Sequence, residues 1–414
     1  MNLTDRLLLA PINNLTGEEF RGIFQKITSS DRKFFFKKII YDKYSPVFLD
    51  YVNNYKLEDL FKEQELTDLR NQSKRFQIQS LEIVKEVIYI DKLFKEKKLN
   101  PTYLKGVALM SEYDDISLRP AVDIDVLFEE EEVFDAHEIL KNNNYRGLFI
   151  NHSRKDLKEY IKDKNHLPHV RRNTNITIEL HSRVTNPVDF KNCPLSKKMI
   201  RNQKSFNFYG ENIFIPSVND MVVHQLVHFS LNSSFNNLLR VFSDIAEIEK
   251  KYEIDWNKIY ADNKDRKIRK ALSLSLEVLN YNLKLTNNFI DLKKNYKDFF
   301  PSKETISNAY KKTFSLKMER KKINKESLYE LGSAKNLIDF FSIVYGKILP
   351  NKNYIIDKYK VSNPNYFNLI YFNILEILSR LMIYSPIVVN VFFKRGLIFN
   401  NFEDIKEVED WLNS

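Results

Sequence analysis

A chain of 414 residues, 43% hydrophobic, 13% aromatic and 29% charged, is too long for one typical core and too apolar for wholesale disorder, so two or three folded domains are expected. The net charge of +10, from 65 basic against 55 acidic residues, favours an acidic partner without choosing among nucleotide, nucleic acid and phosphorylated sugar. The single cysteine, Cys193, excludes an internal disulfide and points to a reducing, cytoplasmic location.

The chain opens with one positive charge and the short apolar run Leu7 to Ala10, too short for the core of a secretory signal. Residues 1–100 mix charged and apolar residues at helical spacing, with scarcely any Gly or Pro. The last helix of this region is expected over about Arg75 to Lys98, apolar through Phe76, Leu81, Val84, Val87, Ile88 and Phe94, and is ended by Asn100-Pro101. A short strand over Thr102 to Leu104 follows, and Gly106 opens a helix. Next come a strand over Val122 to Phe128, a helix from about Glu130 to Asn142, the segment Tyr145 to Ile150, and a charged helical stretch to Lys164. Leu167 to Arg171 and Ile176 to Val184 flank the polar turn Asn173-Thr174-Asn175, a hairpin pattern.

Pro216-Ser217-Val218-Asn219-Asp220 has the form of a helix start with Ser217 as N-cap, and the chain reads as helices from there to Ser414. Its longest apolar stretch, Tyr366 to Phe393, is broken by Asn368, Asn373, Glu376, Arg380, Pro386 and Asn390. Glu376 and Arg380 can pair on one helix face, so buried helices are expected rather than a membrane span. The expected division is a helical region over 1–100, a mixed α+β domain over 101–215, a helical domain over 216–350 and a C-terminal helical region over 351–414. Residues 351–364 are the only candidate linker.

Asp123 and Asp125 carry the chemistry. In an extended strand they project from one face while Val122, Ile124 and Val126 point into a core. Two adjacent acids repel each other, and a hard divalent cation such as Mg²⁺ relieves the repulsion; the competing reading is a solvated edge strand. Glu179, in Ile176-Thr-Ile-Glu-Leu-His-Ser-Arg183, shares a face with His181 and supplies a third acid if its strand lies beside the first. No Gly-x-Gly-x-x-Gly run occurs, and Gly17 and Gly22 are followed by Ile23 where a P-loop needs Lys. Gly106, with Lys105 beside it, is either a phosphate cradle at a helix start or a tight strand-to-helix turn.

Two histidines, His224 and His228, stand four apart on one helix face, but Gln225 replaces the glutamate base of a zinc protease, which leaves a core or substrate-facing pair. His166, His169 and His181 lie on or beside the expected hairpin, as contacts to phosphate or acceptor or as polar rim residues. The densest basic run, Lys311, Lys312, Lys317, Arg320, Lys321, Lys322 and Lys325, reads as a solvated helix face.

Gly106 before a helix, Asp-x-Asp on the next strand and a carboxylate on a later strand resemble the nucleotidyltransferase superfamily built on the DNA polymerase beta palm. Within it, Leu104-Lys105-Gly106, Arg119 ahead of Asp123-Ile-Asp125, His166-Leu-Pro-His169, Glu179-Leu-His181 and the helix Asp220 to His228 resemble the bacterial group of uncharacterised nucleotidyltransferases over about residues 78–250. Val107 stands where the wider superfamily often has Ser or Gly, and Glu179 where many members have Asp. The resemblance implies an enzyme that moves a nucleotidyl group from a nucleoside triphosphate such as ATP to an acceptor hydroxyl or phosphate, with Mg²⁺ or Mn²⁺. It implies Asp123, Asp125 and Glu179 as metal ligands, and Lys105, Gly106 and Arg119 facing the nucleotide phosphates. A toxin-like enzyme acting on RNA or protein, and a nucleotide-binding module without turnover, are the alternatives.

Overall fold

The computed structural model describes residues 2–147, 153–162, 164–167, 170–172, 176–185, 190, 194–232, 235, 238–280, 288–314, 370–378, 408, 411 and 412. The chain divides into two compact units, one of residues 1–316 with 410–414, the other of residues 317–409. In the second unit residues 370–378 are helical and Glu376 is buried. Its expected partner Arg380, the linker, Cys193, His169, the turn 173–175 and the basic run from Lys317 onward lie outside the described residues. No helix among the described residues is long and apolar enough to cross a membrane.

The first unit begins with helices α1 (Leu3–Leu8), α2 (Gly17–Phe24), α3 (Ser29–Tyr41), α4 (Ser45–Asn54) and α5 (Glu63–Glu96). Thr16 and Thr28 start α2 and α3 with capping boxes completed by Glu19 and Asp31, so orphan backbone N–H groups are satisfied at both helix starts. Phe20, Phe24, Phe35, Phe48 and Phe61 pack among these helices in tilted and edge-to-face contacts, with Phe24 and Phe61 centroids 5.2 Å apart. Helix α5 begins at Glu63 rather than Arg75. Its first turns expose charge and bury only Leu66, Leu69 and Ser73, a strip too narrow for hydrophobic periodicity to mark. Glu65 starts it by accepting the Lys62 backbone N–H at 2.8 Å and the Arg32 guanidinium at 2.5 Å.

A five-stranded mixed sheet follows, in the order β3-β2-β1-β5-β4. Its members are β1 (Thr102–Tyr103), β2 (Asp123–Leu127), β3 (Thr177–His181), β4 (Lys204–Phe208) and β5 (Glu211–Ile215). Strand β1 runs antiparallel to β2 and parallel to β5, while β2 and β3 are parallel. Between strands lie α6 (Lys105–Leu109), α7 (Glu132–Asn142), α8 (Arg154–Ile161) and α9 (Leu195–Arg201). Ile124, Val126, Ile178 and Leu180 are buried, and Phe94 of α5 meets Phe128 edge-on at 5.1 Å. The outer edge of β3 is covered as the hairpin pattern predicts. Leu167 N–H donates to Leu180 O at 2.8 Å and Val170 N–H to Ile178 O at 3.2 Å, an antiparallel arrangement.

The β4–β5 hairpin was not anticipated. Its turn is formed by Tyr209 at φ 53° and Gly210 at φ 92°, with Asn207 Oδ1 accepting the Gly210 N–H at 3.0 Å. Only Gly reaches that conformation cheaply, which makes Tyr209-Gly210 a primed turn suited to strand twist.

The helices after the sheet are α10 (Val218–Val227), α11 (Leu238–Lys251), α12 (Trp256–Asp262), α13 (Arg266–Asn280), α14 (Asn288–Asn295) and α15 (Lys303–Phe314). Ser217 caps α10 by accepting the Asp220 N–H, as its sequence predicts. Helix α13 is buried along nearly its whole length from Ile268 to Leu279 and packs on α10, which in turn packs on α6. Through α6 the helical layer is thereby connected to β2, which carries Asp123 and Asp125.

Candidate active site

Strands β2 and β3 pair in parallel with Asp125 opposite Glu179, Asp123 opposite Thr177 and Leu127 opposite His181. Opposed residues share a face, so the period-two alternation of both strands gathers Asp123, Asp125, Glu179 and His181 on one side of the sheet. Asp125 is fully buried; Glu179 and Asp123 are half-buried. Lys105 reaches down from α6, its Nζ 2.5 Å from Asp125 Oδ1 and 3.9 Å from Glu179 Oε2. Leu104 N–H donates to Asp125 O at 2.9 Å, which fixes the entry of α6 onto β2.

His181 Nε2 lies 2.9 Å from Asp125 Oδ1 and 3.3 Å from Glu179 Oε2, while its Nδ1 lies 3.3 Å from the Arg183 carbonyl. All three neighbours are acceptors, which favours the protonated ring in this arrangement, so Nε2 would have to give up its proton to bind a metal ion. Burial works against that charge, but the hydrogen bonds to Asp125 and Glu179 outweigh it and raise the His181 pKa. Burial likewise pulls Lys105 down, and Asp125 and Glu179 more than restore it. Asp125 shows the reverse balance: burial raises its carboxyl, and Lys105 with His181 brings it below the ordinary value. Asp123 is raised by burial and by the neighbouring Asp125 charge.

One oxygen of this cluster stands out. Asp125 Oδ2 is buried and has no hydrogen-bond partner, an arrangement costly for a carboxylate unless a cation meets it. Donor atoms of Asp125, Glu179 and His181 all lie within 4.8 Å of one another, a spacing that fits one metal ion. The set combines two hard carboxylates with one imidazole. Asp123 is not part of that close set, although it stays within electrostatic reach of Asp125 and Lys105.

Gly106 answers to a steric demand. A Cβ there would stand 2.6 Å from Ala121 Cβ and 3.3 Å from Ala121 Cα, because α6 crosses against the residues leading into β2. Arg119 is buried in a polar network. Its Nε donates to Asp244 Oδ1 at 2.5 Å and its Nη1 to Pro120 O at 2.9 Å. Asp244 also accepts Tyr113 OH and Gln225 Nε2, each at 2.9 Å. The network joins α10 and α11 to the segment entering β2. The Arg119 guanidinium reaches Asp123 electrostatically rather than through a direct bond.

His166 stacks obliquely on His181 at 5.2 Å between centroids, and its Nδ1 lies 2.7 Å from Leu167 O. His224 on α10 and His228 at its C-cap lie near the cluster, 6.2 Å apart and nearly perpendicular. Burial and His228 hold His224 well below its ordinary pKa, and burial with Lys105 takes His228 down to about 3, so both are neutral. Sequence reading missed Asp244, Arg240 and Lys43. Arg240 and Asp244 share a face of α11 at helical spacing, a weak signal; Lys43 lies in the turn between α3 and α4 and carries none.

A mixed α+β sheet that brings two carboxylates, a histidine and a lysine together beside a glycine-constrained helix defines a nucleotidyltransferase fold with a candidate metal centre. The family model described as uncharacterised nucleotidyltransferase matches residues 29–284, well over half of the chain, and the chain belongs to that family. The match extends from α3 through α13, so α3 to α5 and α11 are included with the sheet while α1 and α2 lie outside it. Membership makes the chain an enzyme of the nucleotidyltransferase class with a nucleotide as substrate. No curated protein matches the chain.

Proposed function

We propose that this protein transfers an NMP group from a nucleoside triphosphate to a hydroxyl or phosphate of a small molecule, sugar or modified peptide, releasing pyrophosphate. The observation that carries the reading is the in-register pairing of Asp125 with Glu179, which brings a buried carboxylate with one unpartnered oxygen into a group of residues whose donor atoms lie close together. Asp125 and Glu179 would hold Mg²⁺ or Mn²⁺, joined by Asp123 from just outside the close set and by His181 once its Nε2 has given up its proton. The ion would neutralise phosphate charge and polarise the attacking oxygen. Lys105 brings a fixed positive charge to the same face, and Arg119 stiffens the approach to Asp123 through Asp244. Glu179 is more accessible than Asp125 and is suited to take the acceptor's proton. His166, bridged to His181 at the covered edge of β3, is assigned to the acceptor side together with His169. A cytoplasmic location accords with the single cysteine.

The test is incubation with each α-labelled nucleoside triphosphate, Mg²⁺ or Mn²⁺ and a cell extract, followed by separation of labelled small molecules, protein and RNA. Asp123→Asn and Asp125→Asn are expected to abolish labelling while the far-UV circular dichroism is retained. Full labelling by both variants refutes the assignment. Label in RNA or protein would select the toxin-like reading, and nucleotide binding without Mn²⁺ binding or turnover would select the binding module.

A further inference from the structure

Asp42 is fully buried at the end of α3, where it pairs with Lys38 at 3.0 Å and accepts the Leu239 N–H at 3.3 Å. That hydrogen bond fastens the α3–α4 turn to the start of α11. It also sets the next residue of each segment, Lys43 and Arg240, toward one place. Lys43 occupies the left-handed region at φ 55°, a conformation uncommon for a residue other than glycine. Arg240 Nη1 makes only a long contact to Pro120 O at 3.4 Å, and its Nε is buried without a partner. Among the described residues, neither side chain forms an ion pair.

Three cations, Lys43, Arg119 and Arg240, thus surround the residues entering β2. Asp244 is committed to Arg119, and Asp42 to Lys38. Asp123 acts on both Lys43 and Arg240, and Arg240 also feels the already paired Asp244 and Asp42. Burial and mutual repulsion bring both bases down, Arg240 to about 10, as expected of positive charge gathered in excess of its partners. Such a grouping is unfavourable by itself and becomes favourable around an anion.

We propose that Lys43 and Arg240 form a clamp for the phosphate oxygens of the nucleotide's triphosphate tail. The clamp rests on the nucleotidyl-transfer reading and adds to it a substrate contact supplied by the N-terminal helices. With Asp123 drawn towards a metal ion, Lys43 and Arg240 add positive charge that no ion pair of their own neutralises among the described residues, and a polyphosphate carries the complementary negative charge.

Isothermal titration of the full chain with ATP, GTP, CTP and UTP in Mg²⁺, and with sodium tripolyphosphate alone, tests the clamp in wild type, Lys43→Gln, Arg240→Gln, Arg240→Lys and the surface control Lys311→Gln. Retention of fold is read from circular dichroism and from the tryptophan melting curve. Lys43→Gln and Arg240→Gln are expected to weaken tripolyphosphate and the preferred nucleotide by about tenfold or more, Arg240→Lys by less, and Lys311→Gln not at all. Because Lys43 is half-buried, its variant remains informative even if Arg240→Gln fails to fold. Wild-type affinity for a nucleotide, retained in folded Lys43→Gln and Arg240→Lys, overturns the clamp alone. Absence of nucleotide binding by the wild type overturns both the clamp and the function it rests on.

Discussion

Asp244→Asn is expected to destabilise the first unit by about 3 kcal/mol. The substitution keeps the shape of the side chain and removes its charge, leaving the Arg119 guanidinium buried with its 2.5 Å partner neutralised. Removing one member of a buried ion pair costs roughly 3–5 kcal/mol, because the surviving charge has been stripped of water. Two features set the value at the lower end. Asparagine retains one acceptor for Tyr113 or Arg119, and Asp123 still attracts Arg119. Repulsion from Arg240 works in the opposite direction. Both tryptophans, Trp256 and Trp411, belong to the first unit, so urea unfolding followed by tryptophan fluorescence reports that unit. The comparison variant is Asp114→Asn, which breaks the 3.2 Å pair with Lys251 at a fully exposed carboxylate and should leave the midpoint unchanged. A midpoint for Asp244→Asn equal to that of Asp114→Asn would refute the view that Asp244 is what makes a buried Arg119 tolerable.

Gly106→Ala should cost up to about 2 kcal/mol, an overpacking penalty of roughly 1–3 against Ala121 less the ~1 that alanine returns in helix propensity, and should reduce transfer more than it reduces Tm because the residues leading into β2 must yield. Equal or higher activity with unchanged Tm would show that α6 moves freely. Glu249, whose carboxyl burial pushes up to about 7, should make the folded protein lose stability as pH rises from 4.5 to 7. The folded state holds a proton there that the unfolded state has released. Glu249→Gln should remove that decline, gaining about 2–3 kcal/mol over wild type at pH 8 but not at pH 4, after discounting the full shift for partial exposure. Parallel pH profiles in urea unfolding would count against it.

The strands that carry the cluster were legible because two-residue alternation survives in both: Ile124 and Val126, like Ile178 and Leu180, are the buried counterparts of the acids beside them. What alternation cannot state is which strands are neighbours. The parallel pairing of β2 with β3 links residues 54 apart through a crossover, and the sequence reading had to make the third acid conditional on it. Arg119 shows another limit. A motif locates the guanidinium near the acids, but its neutralisation by Asp244 joins positions 125 apart and leaves no local trace. The β4–β5 hairpin did leave one, Phe206 and Phe208 alternating into Tyr209-Gly210, and was passed over among polar residues. Lys43 and Arg240 have no motif at all, since their proximity depends on one hydrogen bond from Leu239 to Asp42.

That single hydrogen bond has a consequence for biogenesis. It joins residues 197 apart, so during synthesis the N-terminal helices leave the ribosome long before the segment that completes their contact with α11 exists. Until then Asp42 and Lys38 have only each other, and the α3–α4 turn that meets α11 stays open to other chains. Closing so long a loop late places the assembly among slow, high-contact-order events, and a pause in translation between α5 and α11 would prolong the exposed interval.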